Sequence, residues 1–164
     1  IEATLALGCP SIINLAGVRP PGVTRDACLK AYVENLRWAT GALMEPGLRL
    51  LIEPINQHGV PGYFLSRTDE ALEVIDRVEK LLALRESFRE TLRGAKGVSR
   101  RIADDLIGYP MITVSLAASM YGVSYQAANT AIAKLVEKGI LRQRTAGRYD
   151  RIFQSDSVLA VLEQ

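Results

Sequence analysis

Scarcity sets the first limits. The chain of 164 residues holds two cysteines and one histidine, and only 6% of its residues are aromatic. Cys9 and Cys28 are too few for a disulfide framework and lack Cys-x-x-Cys spacing, and the lone His58 cannot complete a zinc cluster. Both are therefore expected to be reduced, mostly buried thiols of a cytoplasmic protein, with no metal and no cofactor. No apolar run approaches the ~18–20 residues that cross a bilayer. No basic, apolar, small-residue pattern marks a signal peptide, so no membrane partner is expected. Internal repeats and low-complexity tracts are missing too. The chain starts at Ile1 rather than Met, so Ile1 is not expected to be a natural first residue.

What is present suits one ordinary domain or two small ones, with 48% hydrophobic and 23% charged residues. The net charge of +2 conceals an asymmetry. Residues 1–80 carry 8 Lys/Arg against 10 Asp/Glu, while residues 81–164 carry 12 against 8. A polyanionic partner, if there is one, belongs to the C-terminal half.

The first half alternates helix and strand. Ile1 to Leu7 reads as a helix end closed by Gly8, and Ser11 to Ala16 as a short buried strand. Thr24 offers an N-cap to a helix over Ala27–Met44, which places Leu29, Val33, Leu36 and Leu43 on one stripe. Pro46-Gly47 stops it, and Leu48 to Ile52 forms a second strand ending at Glu53-Pro54. After a Gly/Pro-rich loop, Thr68 caps a helix that continues through Leu81 and Phe88 toward Gly94. This β-α-β-α order predicts a parallel pair, yet two parallel strands cannot bury both faces or satisfy both edges.

The second half reads as short helices and a hairpin. Helices are expected over Val98–Ile107, Val114–Tyr121 (capped by Thr113) and Tyr125–Lys138 (capped by Ser124). Strands follow over Ile140–Thr145 and Arg148–Gln154 around Ala146-Gly147, then a last helix from Asp156 to Leu162. The predicted organisation is residues 1–79, a connecting helix over 80–94, and residues 95–164.

Five blocks of the first half carry a resemblance: Leu7-Gly8-Cys9, Asn14-Leu15-Ala16-Gly17, Val33 to Ala39, Leu51 to Asn56, and Val60 to Leu65. Together they resemble hydroxypyruvate isomerase, a family with the xylose-isomerase-like TIM-barrel fold. The resemblance implies an incomplete barrel fragment. It also implies an aldose–ketose type proton transfer between hydroxypyruvate and tartronate semialdehyde, carried by two glutamates. Glu53, at a strand C-terminus, matches one of them, and such strand ends are where barrel chemistry sits. Its partner would lie downstream, so Glu53 is expected to be an orphaned relic. Gly59 stands where the family implies an acidic residue.

The second half carries another resemblance, in Leu84 to Arg89, Tyr109 to Val114, Gly122 to Ala128, Leu135 to Leu141 and Tyr149 to Phe153. These segments resemble the C-terminal winged-helix region of Fic family proteins. The His-Pro-Phe motif and phosphate loop of Fic catalysis are absent, so no adenylyl transfer is implied. In a helix-turn-helix, the N-terminal residues of the second helix face base edges. Ala128, Ile132, Leu135 and Val136 form its core stripe, which leaves Ser124, Tyr125, Gln126, Asn129, Thr130 and Lys134 available to DNA. Arg142, Arg144, Arg148 and Arg151 on the hairpin would meet phosphates.

The expected fold is therefore mixed α/β and α+β, a barrel fragment joined by a long helix to a winged helix-turn-helix. The two resemblances meet near Val78 to Leu81, as in a chimeric or mis-joined reading frame, or in an evolved fusion. The expected function is binding of double-stranded DNA through the winged helix. The alternatives are a sugar-acid isomerase that needs strands from elsewhere and a winged helix that docks a protein partner. The oligomeric state is left open.

Overall fold

Thr24 begins the longest helix of the first half as its chemistry predicts, with Oγ1 accepting from the backbone N–H of Ala27 at 3.2 Å. That helix is one of twelve elements in a computed structural model that describes residues 1–95, 97–145 and 151–162. In order they are α1 (Glu2–Ala6), β1 (Ser11–Asn14), α2 (Arg25–Met44), β2 (Arg49–Ile52), α3 (Thr68–Thr91) and α4 (Val98–Asp105). Then come β3 (Met111–Thr113), α5 (Val114–Tyr121), α6 (Tyr125–Glu137), β4 (Arg142–Gln143), β5 (Ile152–Gln154) and α7 (Asp156–Leu162). The chain divides into two compact units, Ile1–Glu79 and Lys80–Gln164, and the division falls within α3. Among the described residues no helix is long and apolar enough to cross a membrane.

In the first unit β1 and β2 pair in parallel, with Ser11 opposite Arg49 and Asn14 opposite Ile52, so both strands end together. No barrel closes. α2 buries Leu29, Tyr32, Val33, Leu36 and Leu43, and the first turns of α3 bury Ala71, Val74 and Val78. The expectation of buried strands is corrected: neither strand has a buried residue, and Ile13 and Leu51 are exposed, because a pair of parallel strands without neighbours leaves part of its faces uncovered. Trp38, on α2, is 71% exposed. Two further expectations are corrected here. Thr68 lies within α3 rather than capping it, and the Glu70 carboxylate instead reaches back to the Ser66 and Arg67 amides at 3.0 and 3.2 Å. Cys9 is exposed because it follows the left-handed Gly8 (φ 64°) in the turn that leaves α1, and Cys28 is half-buried on α2.

The second unit is held by Ala117, Ala128, Ile132 and Leu135 between α5 and α6, joined by Leu106, Ile107, Phe153 and Val158. Thr113 and Ser124 cap α5 and α6 with bonds of 3.1 and 3.2 Å from Leu116 and Ala127 N–H. Gly122 closes α5 in the left-handed region (φ 64°), where a side chain would be strained. A three-stranded antiparallel sheet has the order β3-β5-β4. β3 was not expected; it forms where the segment between Pro110 and the Thr113 cap runs extended against β5. The predicted hairpin turn at Ala146-Gly147 lies outside the described residues.

Candidate active site

The parallel register brings the C-terminal ends of β1 and β2 to one edge of the first unit. Glu53 is the residue immediately after β2, and its side chain is exposed. Among the described residues its carboxylate has no hydrogen-bond or ion-pair partner. A free carboxylate at a strand end can accept a proton from a bound substrate.

The two loops that leave this edge are laced together. Phe64 N–H donates to Gly17 O at 2.8 Å, Arg19 N–H to Gly62 O at 3.1 Å, and Val18 bridges Tyr63. Ile55 N–H donates to Leu65 O at 3.0 Å, which closes the second loop at its base just beyond Glu53. Two buried tyrosines anchor the end of β1: Tyr63 Oη accepts from Ala16 N–H at 3.0 Å, and Tyr32 Oη donates to Asn14 O at 3.4 Å. Burial, with Tyr63 nearby, pushes the Tyr32 hydroxyl up to about 12, so it stays a donor.

A hollow of about 270 Å³ opens beside the first loop, lined in part by Val18, Arg19, Cys28, Tyr32, Asn35 and Phe64. A second, of about 280 Å³, lies between the loops and is lined in part by Arg19, Arg25, Gln57, Ser66 and Glu70. Arg25 is paired with Glu70 at 3.1 Å. Burial pushes the Glu70 carboxyl up, but its bonds from Ser66 N–H and Arg25 outweigh that and hold it below the usual range. Among the described residues no group of three His, Cys, Asp or Glu side chains could hold a metal ion. Glu53 alone supplies one oxygen-donor side chain, which does not make a metal site.

In the second unit the residues predicted to meet DNA are scattered in their roles. Tyr125, Gln126, Thr130 and Lys134 are exposed on α6, while the Ser124 hydroxyl is spent on capping it. Thr130 Oγ1 donates to Gln126 O at 3.0 Å. Asn129 Oδ1 accepts from Arg151 Nη2 at 2.6 Å, and the Arg151 guanidinium also lies 5.4 Å from the Phe153 ring centre. Arg142 grips Asp156 through two bonds of 2.5 and 3.0 Å. Arg144 Nη1 points at Met111 Sδ, 3.4 Å away, and Arg148 lies outside the described residues. Three of the four arginines expected to face phosphates, Arg142, Arg144 and Arg151, are thus engaged within the unit.

The Arg142 bond, aided by Gln154, pulls the Asp156 carboxyl down to about 2. A lowered carboxyl contributes stability above its ordinary value near 3.8, and that contribution is lost as pH falls through about 2. Arg142→Ala is expected to move the Asp156 carboxyl back toward 3.8, as read by its NMR titration; an unmoved value would mean that the pair is not what lowers it.

A hollow of about 790 Å³ in the second unit lies between the end of α3 and α6, where Arg93, Lys134 and Lys138 face it with Glu137.

Comparison with known proteins identifies the first unit. Hydroxypyruvate isomerase of Escherichia coli is 44% identical over 78 residues, 48% of this chain and 30% of that protein. 2-Oxo-tetronate isomerase of Pectobacterium atrosepticum is 34% identical over 80 residues, 49% of this chain and 30% of that protein. A Caenorhabditis elegans protein named after hydroxypyruvate isomerase is 34% identical over 112 residues, 66% of this chain and 43% of that protein. The chain thus spans about 30% of the length of the two bacterial relatives. These names overturn the expectation that the function is DNA binding by a Fic-like module: all three relatives are named as isomerases, and none is named as a Fic or DNA-binding protein. Residues 1–83 match the model of the xylose isomerase-like TIM barrel, and the chain belongs to that family.

Proposed function

We propose that the chain serves the isomerisation of a short hydroxy-oxo acid, with Glu53 as an acid–base carboxylate and the remaining barrel strands supplied from outside residues 1–83. The observation that carries this reading is the placement of Glu53, free and exposed, directly after a strand that ends in register with its parallel neighbour. The exposed apolar side chains of the first unit, among them Ile13, Leu15, Trp38, Leu51 and Leu72, support it, because they are the surfaces that neighbouring strands and helices of a barrel would cover.

The chemistry balances on hydroxypyruvate. A carboxylate removes a proton from C3, an enediolate forms across C3 and C2, and a proton is returned to C2. The C3 hydroxyl proton passes to the C2 oxygen, giving tartronate semialdehyde. Glu53 is the group that takes or returns the carbon-bound proton.

The test is a segment exchange. Residues 1–79 of this chain replace the matching stretch of the Escherichia coli relative, and isomerase activity is measured. Retained activity within about tenfold supports the reading. A folded but inactive exchange protein overturns it. For the second unit we also infer a winged-helix fold, supported by the α5–Gly122–α6 turn and the sheet order β3-β5-β4. The whole is then a barrel segment fused to a winged helix.

A further inference from the structure

We propose that the hollow between the two laced loops seats the carboxylate group of a 2-oxo acid and that Arg19 is the residue that binds it; the proposal rests on the isomerase reading above. Arg19 lies five residues beyond β1 and Glu53 directly beyond β2, so both stand on segments leaving the same edge of the parallel pair.

The charges around this hollow do not cancel. Arg25 is neutralised by Glu70, whose carboxylate is further held by the Ser66 and Arg67 amides. The Arg19 side chain has no partner among the described residues, which leaves one positive charge in excess. Its backbone N–H is fixed to Gly62 O, so the side chain starts from a held position at the rim of both hollows. Gln57 Nε2 reaches Ser66 Oγ, and Ser66 Oγ reaches Glu70 Oε2, each only at 3.5 Å, long bonds that leave amide and hydroxyl able to turn to a ligand. Tyr63 and Phe64 give the apolar wall. At Gly62 (φ 76°) a Cβ would come 3.4 Å from Val18 Cγ1, so glycine lets this part of the lining stay narrow.

One excess guanidinium with neutral donors beside it fits a single planar carboxylate, which the guanidinium can meet with two parallel hydrogen bonds. A phosphate dianion would retain an uncompensated charge. Hydroxypyruvate and 2-oxo-tetronate share the 2-oxo carboxylate end and differ in the carbon chain beyond it. A subsite that grips the shared end takes either acid.

The test is binding, measured by NMR titration of the full chain with hydroxypyruvate, with its uncharged amide and with inorganic phosphate. Shifts at Gly62 and Phe64 are expected with hydroxypyruvate and not with the other two. Arg19→Ala should weaken binding about 10- to 100-fold, and Arg19→Lys less. Arg19 is exposed, so both variants should keep the wild-type circular dichroism. Equal binding by Arg19→Ala, equal binding of the amide or of phosphate, or no binding of hydroxypyruvate would each overturn the proposal. Because no turnover is read, binding that depends on Arg19 together with an inactive segment exchange would sink the isomerase reading and leave the carboxylate site standing.

Discussion

Glu53→Gln, introduced into the segment exchanged into the Escherichia coli relative, is expected to lower kcat for hydroxypyruvate by about 10²–10⁴-fold, with KM changed little. The amide keeps the size and most of the polarity of the carboxylate, so folding and ground-state binding should survive. What it cannot do is accept the C3 proton. Deuterium from solvent should likewise stop entering C3 of recovered hydroxypyruvate, which separates loss of proton abstraction from slow product release. A glutamine variant that still exchanges deuterium at the parent rate would take the base role away from Glu53 while leaving family membership untouched.

Leu135→Ala is expected to cost the second unit about 2–5 kcal/mol, whereas Leu116→Ala should fall within about 0.5 kcal/mol of the parent. Both are leucines on helices of the same unit. Leu135 is 0% exposed among Ala128, Ala131 and Ile132, so truncation leaves a cavity. Leu116 is 51% exposed, because α5 buries the Val114, Ala117, Tyr121 stripe and turns Leu116 and Met120 to the other side. Urea unfolding followed by hydrogen exchange at residues of α6 would measure the difference. Equal losses would mean that Leu116 is covered in solution by something beyond the described residues.

That contrast shows where sequence reasoning reaches and where it stops. Caps at Thr24, Thr113 and Ser124 are local chemistry, settled by a hydroxyl and an amide three residues on, and they were legible. The parallel strands were legible as apolar runs between loop signals. The choice between neighbouring positions on a helix was not, since adjacent residues differ by about 100° and only packing decides which lies under the stripe. On α6 it is Ala131 that is buried, while Val136 is 37% exposed. β3 left no signal because three residues acquire their extended form from β5, some forty positions away. At the site, Glu53 was visible from its place after a strand. The Asp156 grip on Arg142 and the Asn129 bond to Arg151 were not, because charge counting treats every arginine as available.

The lacing of the two loops ties together parts of the gene that are far apart. Arg19 and Gly62 are more than forty positions distant, yet one backbone bond sets where the arginine begins. Adding or deleting a residue between Asn56 and Gly62 would therefore re-aim Arg19 without touching its own loop, and a change between Gly17 and Thr24 would shift Tyr63 and Phe64 in return. The two loop lengths should vary together or not at all among proteins that keep this edge.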